Sequence, residues 1–328
     1  MSPKKFKFES ETEKEIRLDK FLLAEFQKDK KLQDWTRSQI KNLIEGGAVS
    51  YEGKALTKAG YVINRGNEIE IKSLNFEKEE FEPWDKLIPV IFEDKHLIVV
   101  DKPAGVTMHP GAGKKSQTLV HALSSHFSKD LLEKDSRAGV VHRLDKDTSG
   151  IVVLAKNVQV HADLSEMFAK REIKKTYIAL ALSTPRSKRA INKEDSGQIE
   201  TFINRDAKSR IKMSVSSEAG RNSITNWKVK ERMHYACLME IDLMTGRTHQ
   251  IRVHFDHINS PIIGDRTYGN FSSLPPKLKK TAEEFGRQAL HAECLKFKHP
   301  VSKKVLDLHA PLPKDMLDLI DEFRKFNS

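Results

Sequence analysis

His142-Arg143-Leu144-Asp145-Lys146-Asp147-Thr148-Ser149-Gly150 runs directly into Ile151-Val152-Val153-Leu154-Ala155. The first stretch sets a carboxylate, Asp145, two residues after a guanidinium and just before a small polar turn, Thr148-Ser149-Gly150. The second is uncharged and rich in β-branched residues, the composition of a buried strand. Charges carried into a turn beside a buried strand are one way a fold holds a reactive group rigidly at the edge of a cleft. A solvated surface turn has the same local grammar, so these residues alone leave both readings open.

Working outward, 328 residues can bury a substantial core as one large domain or two unequal ones, with no cofactor or disulfide needed for folding. Lys and Arg number 57 against 46 Asp and Glu, a formal charge of +11. That balance favours polyanionic partners such as nucleic acid or an anionic membrane. The excess is concentrated in residues 87–328, which carry 40 basic and 29 acidic side chains and include the opening stretch. Cys237 and Cys294 are too few and too isolated for a disulfide framework or a Cys-based zinc site, so a reducing compartment is expected. The N-terminus lacks the apolar segment of a signal peptide, and no run approaches the length that spans a bilayer. The expectation is a cytoplasmic protein without membrane association. No His-Glu-x-x-His is present, and His249 and His254 are poorly spaced for one helical face, so no metal site is expected.

Residues 1–14 are polar and read as a flexible leader. Leu18, Phe21, Leu22 and Phe26 then recur at helical spacing, as do Ile40, Leu43 and Ile44 behind Thr36-Arg37-Ser38. Gly46-Gly47 ends that second helix, and a short strand is expected over Glu68–Lys72. The acidic segment 73–86, with Pro83, reads as a linker. Beyond it, Val90-Ile91-Phe92 and Leu97-Ile98-Val99-Val100 flank a hairpin turn. His109 to Ser116 evokes a phosphate-binding loop but fails its template, with Met108 at the first Gly position and Lys115 at the Ser/Thr position.

Leu119–His126 is expected to be helical, and Leu164, Met167 and Phe168 share a helix face. Tyr177 opens a strand to Leu182, while the basic stretches 170–175 and 186–212 read as exposed loops and strand edges near an anion. Tyr235, Cys237, Met239, Ile241 and Leu243 alternate as a half-buried strand should. Thr245 to His254 reads as a turn into a helix, with Arg252 between Ile251 and Val253. That apolar setting implies partial burial against a carboxylate. A lysine-rich insertion at 277–280, a strand near Leu290–Phe297 and a final helix with Met316, Leu317, Ile320 and Phe323 inward complete the chain.

Two resemblances sharpen this outline. Arg17-Leu18-Asp19-Lys20-Phe21-Leu22, Ser38-Gln39-Ile40-Lys41, Gly47-Ala48-Val49 and Gly66-Asn67-Glu68-Ile69 resemble the S4 RNA-binding module over residues 15–72, with Asn67 where Asp is common. That likeness implies RNA contacts from Arg17, Lys20, Arg37, Ser38 and Lys41. Gly139 to Gly150, Lys174-Lys175-Thr176-Tyr177 and Thr245 to His254 resemble the motifs of the RluA-type pseudouridine synthases, over residues 87–328. His109 to Gly113 and Arg287 to Ala292 are most similar to members acting on large-subunit ribosomal RNA.

The second resemblance implies an α+β fold: a mixed, largely antiparallel sheet with a central catalytic cleft, preceded by the small α/β S4 module. It also implies isomerisation of uridine to pseudouridine without a cofactor, in a monomer whose substrate is a 23S ribosomal RNA stem-loop or a large-subunit precursor. Carried over residue by residue, it makes Asp145 the catalytic carboxylate, Arg252 the cation that keeps it ionised, and Tyr177 the active-site aromatic. Arg143 fills the gap left by a flipped nucleotide, and His142, Arg247, Lys174 and Lys175 contact the substrate or shape its site. A glycosidase-like pair of Asp145 and Asp147 is not implied, since two residues apart they could not bracket a bond. Related readings are a synthase acting on transfer RNA or another ribosomal site, and an inactive RNA-binding or assembly factor.

Overall fold

In the computed structural model the chain forms two compact units, one of residues 1–82 with 128–138 and one of residues 83–127 with 139–328. The structure describes residues 4–9, 14–30, 32–33, 35, 37–72, 83–110, 116–134, 137–183, 191, 193–206, 209, 211–216 and 218–327. Thr36, most of the linker expected at 73–86, and the centre of the glycine loop at 111–115 lie outside them.

In the first unit, β1 (Lys4–Lys7), β2 (Glu15–Arg17), α1 (Leu18–Lys28), α2 (Arg37–Glu45), β3 (Val49–Tyr51), β4 (Lys54–Ala55), β5 (Val62–Asn64) and β6 (Glu68–Ile71) follow in order. One sheet runs β1-β6-β3-β4, and β2 pairs with β5. The helical spacing of Leu18, Phe21, Leu22 and Phe26 drives all four into a core shared with Ile40, Leu43 and Ile44 of α2. The expected leader is corrected here, because Lys4–Lys7 pairs antiparallel with β6. Phe6 and Phe8 sit two apart on one face and pack on the core, while Lys5 and Lys7 face out between them.

The second unit contains β7 (Val90–Glu93), β8 (Leu97–Lys102) and α3 (Leu119–Ala122). The chain then passes through α4 (Lys129–Lys134) of the first unit and returns for β9 (Ser149–Ala155), α5 (Val158–Ala169), β10 (Lys174–Leu182), β11 (Ser196–Arg205), β12 (Met213–Ser216), β13 (Arg221–Arg232) and β14 (Ala236–Leu243). It ends with α6 (Gln250–His257), α7 (Pro276–Phe285), β15 (Leu290–Lys298), β16 (Val305–His309) and α8 (Lys314–Arg324). One sheet runs β12-β11-β13-β14-β10-β15-β9-β8-β7, with β16 also on β15. Its pairings are antiparallel except that of β15 with β9. This is the mixed, largely antiparallel α+β fold expected.

Strand β9 is buried along its whole length, as its uninterrupted apolar run requires. It begins at Ser149, two residues earlier than expected, so the turn is Lys146-Asp147 and Ser149-Gly150 belong to the strand. Gly150 has φ +116, and a Cβ there would collide with the Ala292 backbone of β15, so only glycine lets the two strands meet. Strand β10 likewise starts at Lys174 rather than Tyr177, and within the stretch 186–212, read as loops and strand edges, Ser196–Arg205 is strand β11. The helix expected over Leu119–His126 breaks after Ala122 into a 3-10 turn at Ser124–His126. Strand β14 is buried on both faces over its first four residues rather than alternating. The lysine-rich insertion is the first part of α7. In α8, Leu317 is 44% exposed and Leu319 takes the inward position beside Met316, Ile320 and Phe323.

Candidate active site

Asp145 sits in the loop that feeds β9, and its position is set by contacts to that loop's backbone. Its carbonyl accepts from Thr148 N at 3.1 Å, closing the Lys146-Asp147 turn. Lys102, at the end of β8, is fully buried and donates to the carbonyls of Pro103, Val106 and Lys146 at 3.0, 2.9 and 3.1 Å. Burial pushes its ammonium down to about 7, against the nearby charges of Asp147 and Asp145. Arg287 donates to the Asp147 carbonyl at 3.4 Å and is held by both oxygens of Asp315 at 2.8 and 2.9 Å. Gln288 donates to Thr148 Oγ1 at 2.9 Å. His291 Nε2 donates to the Ala310 carbonyl, so its Nδ1 accepts the Ser149 hydroxyl at 2.9 Å. Three distant segments, at Lys102, at Arg287 to His291 and at Asp315, thus immobilise one loop.

The second half of the site is the turn into α6. Gln250, 2% exposed, uses its whole amide. Oε1 accepts from the Thr245 hydroxyl at 2.7 Å and from Arg247 N at 3.0 Å, while Nε2 donates to Ile224 O and Thr225 Oγ1, both at 3.0 Å. This turn takes His249 through a left-handed φ of 56 and starts the helix. Arg252, one turn further on, then reaches back across the fold: Nη1 donates to Asp145 Oδ2 at 2.9 Å. Its Nε and Nη2 donate to the two oxygens of Asp265 at 2.7 and 2.9 Å. Burial disfavours the guanidinium charge, but the hydrogen bonds and charges of Asp265 and Asp145 outweigh it and hold Arg252 above its ordinary range. Asp265 is itself fixed by Thr267 N at 2.8 Å and Tyr268 N at 3.2 Å.

His249 Nε2 lies 3.8 Å from the same Asp145 oxygen. Its Nδ1 is 2.9 Å from Tyr268 Oη, which also accepts from Met213 N at 2.8 Å, so the hydroxyl proton is free to point at Nδ1. That network assigns the Nε2–H tautomer. Burial holds His249 below its usual pKa despite the Asp145 charge, which leaves the imidazole neutral at pH 7. The Tyr268 phenol is pushed up to about 12, mainly by burial, and its ring packs over Arg252 at 5.1 Å.

Asp145, Arg143, Lys146, His249, Arg252, Arg266 and Arg287 line a cleft of about 300 Å³. Arg143 is exposed there. Tyr177 lies on β10, with β15 between it and β9, opposite Ala292, and is 6% exposed. Its phenol is held well above its ordinary value, first by burial and then by the negative charge of Asp145, so at neutral pH it keeps its proton.

Neither Tyr177 nor the remaining residues read from the sequence line this cleft. His142 accepts from Val153 N at 3.0 Å and stacks on Phe168 at 4.7 Å, and burial pushes it down to about 3. Lys174 pairs with Asp242 at 3.3 Å. Lys175 and Arg247 belong with Arg171 and Arg221 to a basic patch. Burial pushes Lys175 down to about 8, helped by Arg171 and Arg247, and burial with Arg221 and Arg171 lowers Arg247. In the first unit, Arg17 and Arg37 grip Asp19 at 3.0 and 2.8 Å, Lys41 pairs with Glu45 at 3.5 Å, and Lys20 is exposed. Ser38 lies on α2, with its side chain outside the described residues.

Nothing in the local sequence marks Asp265, His249 or Tyr268 as site residues. Asp265 stands in a loop, Pro261 to Asp265, with no local sign of an ionic partner. Its only signal was Arg252, a buried guanidinium that demanded more than one acceptor.

The profile of a family described as RNA pseudouridylate synthase matches residues 96–257. Ribosomal large subunit pseudouridine synthase D of Vibrio cholerae is 35% identical over 290 residues, covering 87% of this chain and 86% of its own. An uncharacterised RNA pseudouridine synthase of Chlorobaculum parvum is 36% identical over 328 residues, 96% of either chain. Among solved structures, human RNA pseudouridylate synthase domain containing 4 shares the fold with a TM-score of 0.56 at 24% identity, over 72% of this chain and 93% of that one.

Proposed function

The chain belongs to the RNA pseudouridylate synthase family, and from that premise we propose that it isomerises uridines of large-subunit ribosomal RNA with Asp145 as the catalytic carboxylate. The reaction breaks the bond from uridine N1 to ribose C1′, turns the base and rejoins it through C5. It needs an ionised carboxylate able to act at C1′ or on a ribose proton, and a pocket that retains the detached uracil. The observation that carries the assignment is the 2.9 Å contact of Arg252 Nη1 with Asp145 Oδ2. The charge-assisted hydrogen bond fixes the carboxylate's orientation and sets a positive charge against it. Both the Arg252 and His249 contacts fall on Oδ2, leaving Oδ1 for the substrate.

Tyr177, buried where it feels the Asp145 charge, supplies an aromatic surface as a protonated phenol, and Arg143, exposed in the Asp145 cleft, occupies the gap left by the extruded nucleotide. The patch of Arg171, Lys175, Arg221 and Arg247 grips phosphates, with Lys174 beside it, and His142 shapes the turn before Asp145. Phosphate contacts of this kind position RNA without reading its sequence. Residues 15–72 act as an S4 module that adds a second grip through Lys20 and Lys41. Arg17, Arg37 and Ser38 complete the set of RNA contacts we assign to this module. The enzyme works as a monomer in the cytoplasm, on a stem-loop of 23S ribosomal RNA or of a large-subunit precursor.

The test is release of tritium from ribosomal RNA labelled at uridine C5. The wild type releases it, and Asp145→Asn binds the same RNA but releases none. Undiminished release by Asp145→Asn would remove Asp145 from this role, and absence of release by the wild type on ribosomal RNA but not on transfer RNA would reassign the substrate.

A further inference from the structure

Away from the cleft, the hairpin of β15 and β16 gathers three groups with metal-ligating chemistry. Cys294 and His309 are direct cross-strand partners, and Lys296 faces Asp307 two residues along. This register sets Asp307 diagonal to Cys294. Cys294 Sγ lies 3.5 Å from Asp307 Oδ1 and 3.8 Å from His309 Nε2, and His309 Nε2 is 3.1 Å from Asp307 Oδ1. The three donor atoms fall within 4.8 Å of one another. Lys296 holds the other carboxylate oxygen, Oδ2, at 2.6 Å, which leaves Oδ1 turned toward the sulfur and the imidazole.

These separations, 3.1, 3.5 and 3.8 Å, bracket those of a tetrahedral site to within a few tenths of an ångström. Bonds of about 2.3 Å to sulfur and about 2.0–2.1 Å to nitrogen and oxygen place neighbouring ligands ~3.3–3.6 Å apart. A thiolate, a carboxylate and a neutral imidazole carry two negative charges, which balance a dication. The donor set, one soft sulfur with nitrogen and oxygen, suits zinc rather than magnesium or calcium. Cys294 is buried while the His309 and Asp307 side chains are 61% and 43% exposed, so an ion can enter from solvent and keep water as its fourth ligand.

We propose that Cys294, Asp307 and His309 form a site for one zinc-class divalent cation that clips β16 to β15. Binding forms the bond from the metal to Sγ and releases the thiol proton to solvent, with no change of oxidation state.

Cobalt(II) titrated into the full-length, chelator-treated protein reads this site directly. The expected result is one equivalent bound with a thiolate-to-cobalt charge-transfer band, displaced by zinc. Cys294→Ser abolishes the band, His309→Ala weakens binding at least ~10-fold, and Cys237→Ser changes neither. His309 is exposed, so its variant keeps the fold and its far-ultraviolet circular dichroism, and tritium release from RNA is unchanged in it. Failure of the wild type to bind an equivalent would overturn the proposal. So would a band that survives Cys294→Ser, or equal affinity in His309→Ala.

Discussion

Arg252 carries the charge balance of the candidate site, since one guanidinium serves two carboxylates, Asp145 at its edge and Asp265 behind it. A lysine would keep the charge but could not span both partners, because its ammonium is a point donor rather than a planar fork. Arg252→Lys is therefore expected to lower kcat at least ~100-fold through misplacement of Asp145, with RNA affinity nearly unchanged, as measured by single-turnover kinetics and filter binding. Asp265→Asn leaves a buried cation half compensated and should cost about 3 kcal/mol in denaturant unfolding. Among other buried residues, His254 is fully enclosed between Thr225 Oγ1 at 2.8 Å and Thr201 Oγ1 at 3.0 Å, and burial pushes its pKa down to about 4. The unfolded chain, titrating near 6.5, binds the extra proton between those values. The contribution of neutral His254 is complete above pH ~6.5 and is lost as the pH falls toward 4, by ~1.4 kcal/mol per unit of pKa difference. Denaturation across that window should show a steeper acid loss in the wild type than in His254→Gln. The pairing of Arg252 with a carboxylate was legible from its apolar neighbours, but the second carboxylate was not, because Asp265 contributes no local pattern.

Among the elements, β9 and its preceding loop set the geometry of the candidate site. Their apolar run was readable as a strand because burial on both faces leaves an uninterrupted hydrophobic signature. Its start was misplaced because Ser149 and Gly150 look like turn residues locally. They are strand residues because Ser149 bonds His291 and Gly150 meets the Ala292 backbone, contacts from a segment some 140 positions away. Gly150→Ala adds a Cβ at φ +116 into that backbone. It should destabilise by roughly 3 kcal/mol or more, seen as a lowered unfolding midpoint together with lost activity. The N-terminal strand was missed for the opposite reason: its lysines suggested solvation, while alternate phenylalanines packed inward. In α8, Leu319 rather than Leu317 faces the core, because it stands three residues after Met316 and four before Phe323, on the same helical stripe.

At the scale of the whole molecule, binding to RNA should be dominated by released counterions, with affinity falling steeply as salt rises. If residues 15–72 provide a second grip, Lys20→Ala with Lys41→Ala should weaken RNA binding and flatten the salt dependence by about one to two phosphate contacts. The kcat at saturating RNA should stay unchanged. These two lysines are chosen because Arg17 and Arg37 already hold Asp19, so removing either would disturb the core as well as the surface. A slope equal to the wild type's would locate RNA recognition entirely elsewhere. The sequence by itself determined the catalytic family, the α+β class and the apolar faces of the main helices and strands, because these depend on composition, periodicity and contiguous motifs. Only the tertiary structure decided which charges meet. Asp145, Arg252 and Asp265 converge from a loop, a helix and a second loop, and Cys294 reaches Asp307 and His309 across a hairpin. An ion pair or a ligand set depends on distance in space, and distance between residues far apart in the chain is settled by packing rather than by local pattern.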